Sequence, residues 1–337
     1  MNTFGENLKI TIFGESHGPA VGMTLDGLPA GEPIDMGALR AELLRRAPGT
    51  SELGSPRNEE DEPVFLSGLL EGRTIGAPVC AILRNQNADS STYDPDNPRP
   101  GHADLAAYLK YKGAMDLRGG GPFSGRLTAP LVLAGAMCRQ LLERRGVRLS
   151  ARIIRVGPFE GETLDTAMRK EILDARSAGD SVGSVVRCEA TGVPAGLGGL
   201  LFGGMESRIA AMLFAVPGVK GVSFGDGFGL AALRGSAAND PIGIQAGKPV
   251  TYTNRAGGIN GGLTNGMPLL VDIALRPPPS IGREQLTISL TTGEKTTLRV
   301  RGRHDPCIGP RAVPVSEAVL AFCLLDAMLE GASAWTS

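Results

Sequence analysis

The 337-residue chain is 42% hydrophobic and 20% charged, the composition of a globular protein and not of a disordered one, and its length allows one large domain or two ordinary ones. With 34 basic against 35 acidic residues the net charge is −1, which excludes the basic excess of a general nucleic-acid binder and makes any anion site a local concentration of charge. Aromatics at 4% leave the core to aliphatic side chains, while 48 glycines and 24 prolines require many turns and close backbone approaches.

The N-terminus, MNTFGENLKITIFGES, has no basic segment followed by an apolar one and does not read as a secretory signal. Residues 8–14, LKITIFG, form a β-type run ending in glycine, residues 21–29 form a second, and GESHGPA connects them. Asp35 is placed to cap a helix running to Arg46, with Met36, Leu39 and Leu43 at helical spacing. PRNEEDEP, residues 56–63, reads as a charged, solvated loop. Residues 85–101, NQNADSSTYDPDNPRPG, make a long polar connection with no apolar period, the kind of segment that serves as a lid or stays disordered. ADLAAYLKYKG is helical in pattern, and DLRGGGPFSGRLTAP leads into an apolar helix over residues 131–145, stopped by Gly146. From residue 147 strands and turns dominate. RIIRVGPF and SVVRCEATGVP flank a helix at residues 163–178, and residues 203–229 read as helix, turn and strand. TNRAGGINGGLTNG precedes the strand MPLLVDIAL, and a helix over residues 316–330 closes the chain. The longest uncharged stretch, residues 190–205, is too rich in glycine for a membrane span. The five cysteines are odd in number and widely spaced with no CxxC pair, so they support neither a zinc site nor a disulfide framework and read as reduced thiols of a cytoplasmic protein. Strand–helix–strand units in both halves predict a layered α+β fold and admit an internal duplication.

Only three histidines occur: His17 in GESHG, His102 in RPGHAD and His304 in RGRHDP. Taken singly, each suits a structural turn. All three, however, fall in Gly- or Pro-rich loops beside charges, and histidine moves protons near neutral pH. No HxH or HExxH spacing occurs, so no metal is expected. Arginines gather at the same places: Arg45 and Arg46 before APG, Arg99 before PGH, Arg118 and Arg126 around GGGPFSG, Arg276 before three prolines, and Arg301, Arg303 and Arg311 around HDP. Their paired donors match carboxylate and phosphate oxygens. Arg139, Arg144 and Arg145 sit at helical spacing and read as surface residues. RGGGPFSGR running into a helix can cradle a phosphate on backbone N–H groups. It fits neither GxxxxGK[ST] nor a glycine fingerprint that follows a strand.

GESHGPAVGMTLDGLP, RPGHADLAAYLKYKGAMDLRGGGPFSGRLTA, TNRAGGINGGLTNGMPL and RGRHDPCIGPRAVPV, in that order from about Phe4 to about Glu330, resemble the chorismate synthase family. The resemblance implies one domain over residues 1–337, built as a β-α-β sandwich whose sheets enclose a helical layer. It implies a carbon–oxygen lyase that eliminates phosphate from 5-enolpyruvylshikimate 3-phosphate by a 1,4-anti route to give chorismate. The family requires reduced FMN (FMNH2) with no net redox change, and its members are homotetramers.

Residue by residue, His17 resembles the histidine that protonates the leaving phosphate, and His102 the one that keeps the reduced flavin in its working protonation state. Asp305 resembles the aspartate linked to flavin N5 that receives the C6 proton. Pro122, Phe123, Ser124, Gly261, Arg276, Pro277, Pro278, Pro279, Ser280 and Arg303 match flavin-binding positions; Arg46 and Arg126 match substrate-side arginines. His304 reads as orienting or structural. Two departures stand out. Pro122 and Phe123 replace an arginine and a serine of many members, and Pro122 offers no N–H. Glu52 stands where many members carry an arginine associated with nicotinamide binding. An acid there predicts that the chain does not reduce its own flavin with NADPH and relies on a separate reductant. A flavin-dependent oxidoreductase and a non-catalytic anion-binding protein are the competing readings. No nucleic-acid or membrane partner is expected.

Overall fold

Alternating apolar residues in the first 84 positions build an antiparallel five-stranded sheet in a computed structural model that describes residues 2–49, 52–54, 61–86, 93–300, 302 and 304–330. Its strands are β1 (Thr3–Phe4), β2 (Lys9–Gly14), β3 (Ala20–Asp26), β4 (Pro63–Ser67) and β5 (Val79–Arg84), in spatial order β1-β2-β3-β5-β4. Val21, Met23 and Leu25 of β3 and Val79, Ala81 and Leu83 of β5 turn inward by the two-residue period of a strand. The second sheet holds β6 (Arg148–Val156), β7 (Phe159–Glu160), β8 (Ser184–Thr191), β9 (Val219–Phe224) and β10 (Leu269–Leu275), in order β7-β6-β8-β10-β9. All its pairings are antiparallel as well.

The helices are α1 (Met36–Arg46), α2 (Asp104–Tyr111), α3 (Thr128–Arg144), α4 (Thr166–Ser177), α5 (Met205–Phe214) and α6 (Gly309–Glu330), with one shorter turn besides. Between the sheets, α3 lies on the first and α6 on the second; α1 packs on both helices and α5 on α6 and β9. This is the sandwich the resemblance implies. The long helices touch where Gly135 meets Ala318: a Cβ on Gly135 would lie 2.3 Å from the Ala318 Cβ. Helix α6 is long and apolar enough to cross a membrane, and 83% of its most apolar stretch is buried inside the fold. It serves as a core helix.

The two halves repeat one plan. Strands β2-β3-β5-β4 and β6-β8-β10-β9 stand in the same order by sequence. In chain order a helix joins the second strand of each set to the third, α1 after β3 and α5 after β8, and a long helix, α3 or α6, follows each sheet. The halves differ in the edge strand, since β1 precedes β2 while β7 follows β6, and in α2 and α4, which have no counterparts in the other half.

Asp35 caps α1 as expected, accepting from Gly37 N at 2.7 Å and Ala38 N at 3.1 Å. Helix α6 begins seven residues before the expected 316 and runs through Pro314, at the cost of one backbone bond near its start. Arg139, expected at the surface, is half-buried. It pairs with Glu317 at 3.0 Å and Glu143 at 2.9 Å. Four cysteines are buried and Cys80 is half-buried; all are free thiols. Burial pushes the Cys138, Cys188 and Cys323 thiols up, far from reactive values.

Candidate active site

Helices α3 and α6 both start at one end of the sandwich, and the loops that reach that end enclose a cleft of about 640 Å³. The orphan N–H groups and positive dipole ends of two long helices therefore face one space. The glycine loop before α3 forms one wall. Gly119, Gly120 and Gly121 have φ of 62°, 90° and 51°, values side chains disfavour. A Cβ on Gly119 would come within 2.3 Å of the His17 ring, and one on Gly121 within 2.0 Å of the Asp116 carbonyl oxygen. The GESHG turn is fastened here. Ser16 N donates to the Gly121 carbonyl at 3.2 Å. Asn85 Nδ2 donates to the carbonyls of Glu15 and Gly18 at 3.0 and 2.8 Å.

The cleft brings together most of the residues picked out in the sequence. His102, Asp305, Pro122, Phe123, Ser124, Arg276, Pro278, Pro279, Ser280, Arg46 and Arg126 all line it. His17 sits just behind the lining. Its ring packs against Gly119 and meets Tyr93 edge-on at 5.2 Å. His304 lines the cleft beside Asp305. Pro277 is outside the lining and receives the Arg276 Nε hydrogen bond on its carbonyl. Gly261 lies elsewhere, at the turn of the hairpin formed by Ile259–Asn260 and Leu263–Thr264, with open space where a Cβ would be. Arg303 lies outside the described residues.

Each cleft arginine has a defined anchor. Arg46, fully buried, donates to Thr128 Oγ1 at 3.2 Å, to the Gly125 carbonyl at 3.1 Å and to Asp61 Oδ2 at 3.0 Å. Arg126 donates to Asn85 Oδ1 at 2.9 Å and to the other oxygen of Asp61. One carboxylate thus joins both arginines. Of PRNEEDEP, read as a solvated loop, residues 56–60 lie outside the described residues; Glu62 is exposed, but Asp61 and Pro63 are buried. Arg311 donates to Asp305 Oδ2 at 2.6 Å and to the Arg46 carbonyl at 3.1 Å. Arg99 grips Asp104 through Nε at 2.7 Å and Nη2 at 2.9 Å, and reaches Ser280 Oγ at 3.2 Å. His102 Nδ1 lies 2.6 Å from Asp104 Oδ1. Burial alone would raise the Asp104 pKa, but hydrogen bonds from His102 and Arg99 outweigh it and hold the carboxyl well below its usual range. Arg276 donates to the Gly101 carbonyl at 2.6 Å, and Lys220 enters from a bulge between Val219 and Gly221 of β9.

Six basic side chains line the cleft, Arg46, Arg99, Arg126, Lys220, Arg276 and Arg311. Among the described residues, three carboxylates answer them: Asp305 in the lining, and Asp61 and Asp104 bonded to it. Basic side chains thus outnumber carboxylates among the described residues of the cleft, in a chain whose net charge is −1. No cluster of His, Cys, Asp and Glu suited to a metal occurs among the described residues. Asp61, Asp104 and Lys220 were not singled out in the sequence. Asp61 is hidden in an acidic run and Asp104 looks like an ordinary first-turn helix acid. For Asp104 the two-residue spacing from His102 was the available signal.

A cleft lined by six basic side chains at one end of a duplicated β-α-β sandwich suits an enzyme that stabilises charge on an anionic substrate. The family model described as chorismate synthase matches residues 8–329, and the chain belongs to that family. It is 47% identical to the chorismate synthase of Thermococcus kodakarensis over 96% of this chain and 97% of that protein. It is 44% identical to that of Korarchaeum cryptofilum over 96% of each, and 41% identical to that of Dehalococcoides mccartyi over 97% and 96%. A crystal structure of chorismate synthase superposes with a TM-score of 0.75 at 28% identity, covering 97% of this chain and 93% of that one. With the family comes its enzyme class, the carbon–oxygen lyases acting on phosphates.

Proposed function

We infer that the cleft eliminates phosphate from 5-enolpyruvylshikimate 3-phosphate to give chorismate, with reduced FMN as cofactor. The observation that carries this reading is the gathering of six basic side chains along one cleft. The substrate brings one phosphate and two carboxylates, and arginines and a lysine fixed in a half-closed cleft stabilise such charge better than they would in water.

The residues present fit a flavin mononucleotide. A cleft of about 640 Å³ lies within the size range of cofactor sites. Phe123, Pro278 and Pro279 in the lining would supply apolar contacts to a flat ring. Ser124, Ser280 and Arg276 offer polar groups for ribityl and phosphate oxygens, with Gly261, Pro277, Pro122 and Arg303 as further flavin positions on resemblance. Bound in its reduced form, the flavin supplies the electronic part of the C–O cleavage.

The chain's own groups then have separable tasks. Arg46 and Arg126, locked by Asp61, set the positive floor under the substrate. His17, held in GESHG between Gly119 and Tyr93, protonates the departing phosphate. His102 holds a proton balance at its Nε2. Asp305, oriented by Arg311, takes up the proton lost from the substrate ring. The proposed assembly is a homotetramer working in the cytoplasm, with flavin reduced elsewhere, because exposed Glu52 repels a nucleotide phosphate.

Anaerobic incubation with reduced FMN and enolpyruvylshikimate phosphate tests the reading. Chorismate and phosphate are expected in equal amounts with the flavin still reduced. Consumption of the flavin would mark an oxidoreductase, and no product would overturn the assignment. In His17→Ala, phosphate release is expected to fall roughly 100-fold or more, the lower end for a lost proton donor, with flavin affinity little changed. Equal losses in both would make His17 structural.

A further inference from the structure

We propose that Asp104 is a positioning residue for this reaction, acting through His102: it accepts the Nδ1–H hydrogen bond, fixes the ring in that tautomer and leaves Nε2 as the proton-exchanging atom on the cleft side. The proposal rests on the reading of His102 as a residue of the reaction.

Two groups compete for Nδ1. Asp104 Oδ1 lies 2.6 Å away and Arg99 Nη2 lies 3.1 Å away. A guanidinium only donates, so it would favour a bare nitrogen; a carboxylate only accepts, so it favours Nδ1–H. A bare nitrogen cannot face a carboxylate oxygen at 2.6 Å, because two lone pairs would meet. Arg99 loses nothing by yielding, since the same Nη2 already donates to Asp104 Oδ1 at 2.9 Å. Nδ1 therefore carries the proton in the neutral ring.

The arrangement is rigid. Asp104 receives the Arg99 backbone N–H at 3.1 Å and its Nε at 2.7 Å. Arg99 is buried and held by Ser280 Oγ on the segment after β10, with its guanidinium 5.3 Å from the Tyr93 ring centre. On the opposite side of the ring lies Gly120, with φ of 90°. A Cβ there would stand 3.3 Å from Nε2, so the missing side chain keeps that nitrogen clear. Three separate segments thus hold one imidazole of the cleft lining with one nitrogen committed and the other uncommitted, the relation of base and orienting carboxylate seen in other proton-transfer sites.

Nitrogen-15 NMR of histidine-labelled enzyme, with steady-state kinetics, tests this on the full chain. The parent protein is expected to show His102 as the Nδ1–H tautomer. In Asp104→Asn the carboxamide keeps its oxygen toward Arg99 and turns its NH2 to Nδ1, so the tautomer should reverse. The expected kcat falls roughly ten- to hundredfold, part of what a proton-transfer group supplies, with KM little changed. Asp104→Glu, which keeps a carboxylate, should restore the tautomer and part of the rate, and carries the test if the Asn variant does not fold. His102→Ala should be slow alone, and adding Asp104→Asn should cost nothing more, because residues acting as a unit are not additive. A parental tautomer with parental kcat in Asp104→Asn, or full additivity in the double variant, would overturn the proposal alone. His102→Ala at the parental kcat would overturn the reading of His102, and the proposal with it.

Discussion

Gly119 stands between the two motifs that carry most of the proposed chemistry. Its φ of 62° disfavours any side chain, by about 1–2 kcal/mol, and its Cβ position lies 2.3 Å from His17 Cδ2 and 2.9 Å from Ser16 Oγ. Gly119→Ala must therefore push His17 from its place against the wall. The expected outcome is at least a tenfold loss of chorismate formation with a modest fall in melting temperature. Asp61 joins two arginines inside the protein, and Asp61→Asn leaves both guanidiniums beside a neutral partner. Breaking a buried pair costs about 3–5 kcal/mol, which denaturant unfolding at fixed protein concentration would register. Asp104 gives a pH-dependent counterpart. Its folded pKa lies below the unfolded value of about 3.9, so the stability it contributes is fully present above that value and is lost as pH falls through the folded one. Asp104→Asn should differ most from its parent at neutral pH, and the gap in unfolding midpoint should narrow in acid. At this scale the histidines and loop arginines were legible, because Gly- and Pro-rich surroundings set them apart from helical faces. Their carboxylate partners were not. Asp61 lies in the sequence among Glu59, Glu60 and Glu62, and nothing local tells that it turns inward.

Among the elements, α3 and α6 do the positioning, for their N-termini define where the glycine loop and the HDP loop meet. The contact of Gly135 with Ala318 sets their separation: a Cβ on Gly135 would lie 2.4 Å from the Ala318 Cα and 2.6 Å from its carbonyl oxygen. Backbone cannot yield as a flexible side chain does. Gly135→Val is expected to destabilise by about 1–3 kcal/mol, as overpacked cores do, and to slow the reaction by parting the two helix ends, seen as a lowered melting temperature and a lowered kcat together. Element types were legible along most of the chain, since strand alternation and caps such as Asp35 are local signals. The start of α6 was not, because Pro314 reads locally as a break. Its burial against the second sheet and α3 supplies what propensity denies. The role of Gly135 was equally hidden, for a glycine within an apolar helix carries no mark of the neighbour it admits.

For the molecule as a whole, a nearly neutral chain gathers six basic side chains in one cleft and leaves large apolar side chains outside. Phe202, Phe228 and Leu201 are 93%, 90% and 84% exposed, and Ile242 is 79% exposed. Leu200, Leu201 and Phe202 are exposed side by side; grouped apolar exposure marks interaction surfaces, and burying such side chains is worth about 1.5–3 kcal/mol each. The layered fold followed from the strand and helix pattern. The exposure of these residues did not, since a Phe in a glycine-rich segment looks the same whether it faces a core or solvent. The expected species in light scattering has four times the 35.0 kDa mass of the chain. Phe202→Asp together with Ile242→Asp should lower that mass while leaving the circular dichroism unchanged, because neither side chain belongs to the buried core. The Gly261 hairpin adjoins the Phe202 segment: Met205 N donates to the Gly262 carbonyl at 2.9 Å, and Gly198 bridges Leu263. Gly261 is outside the lining of its own cleft, so in the proposed tetramer its flavin would be one bound to another subunit. Dissociation should then weaken flavin binding as well as lower the mass, read by fluorescence titration. A dissociated variant that binds flavin as tightly as its parent would remove Gly261 from the site, and a variant still of fourfold mass would place the interface on another face.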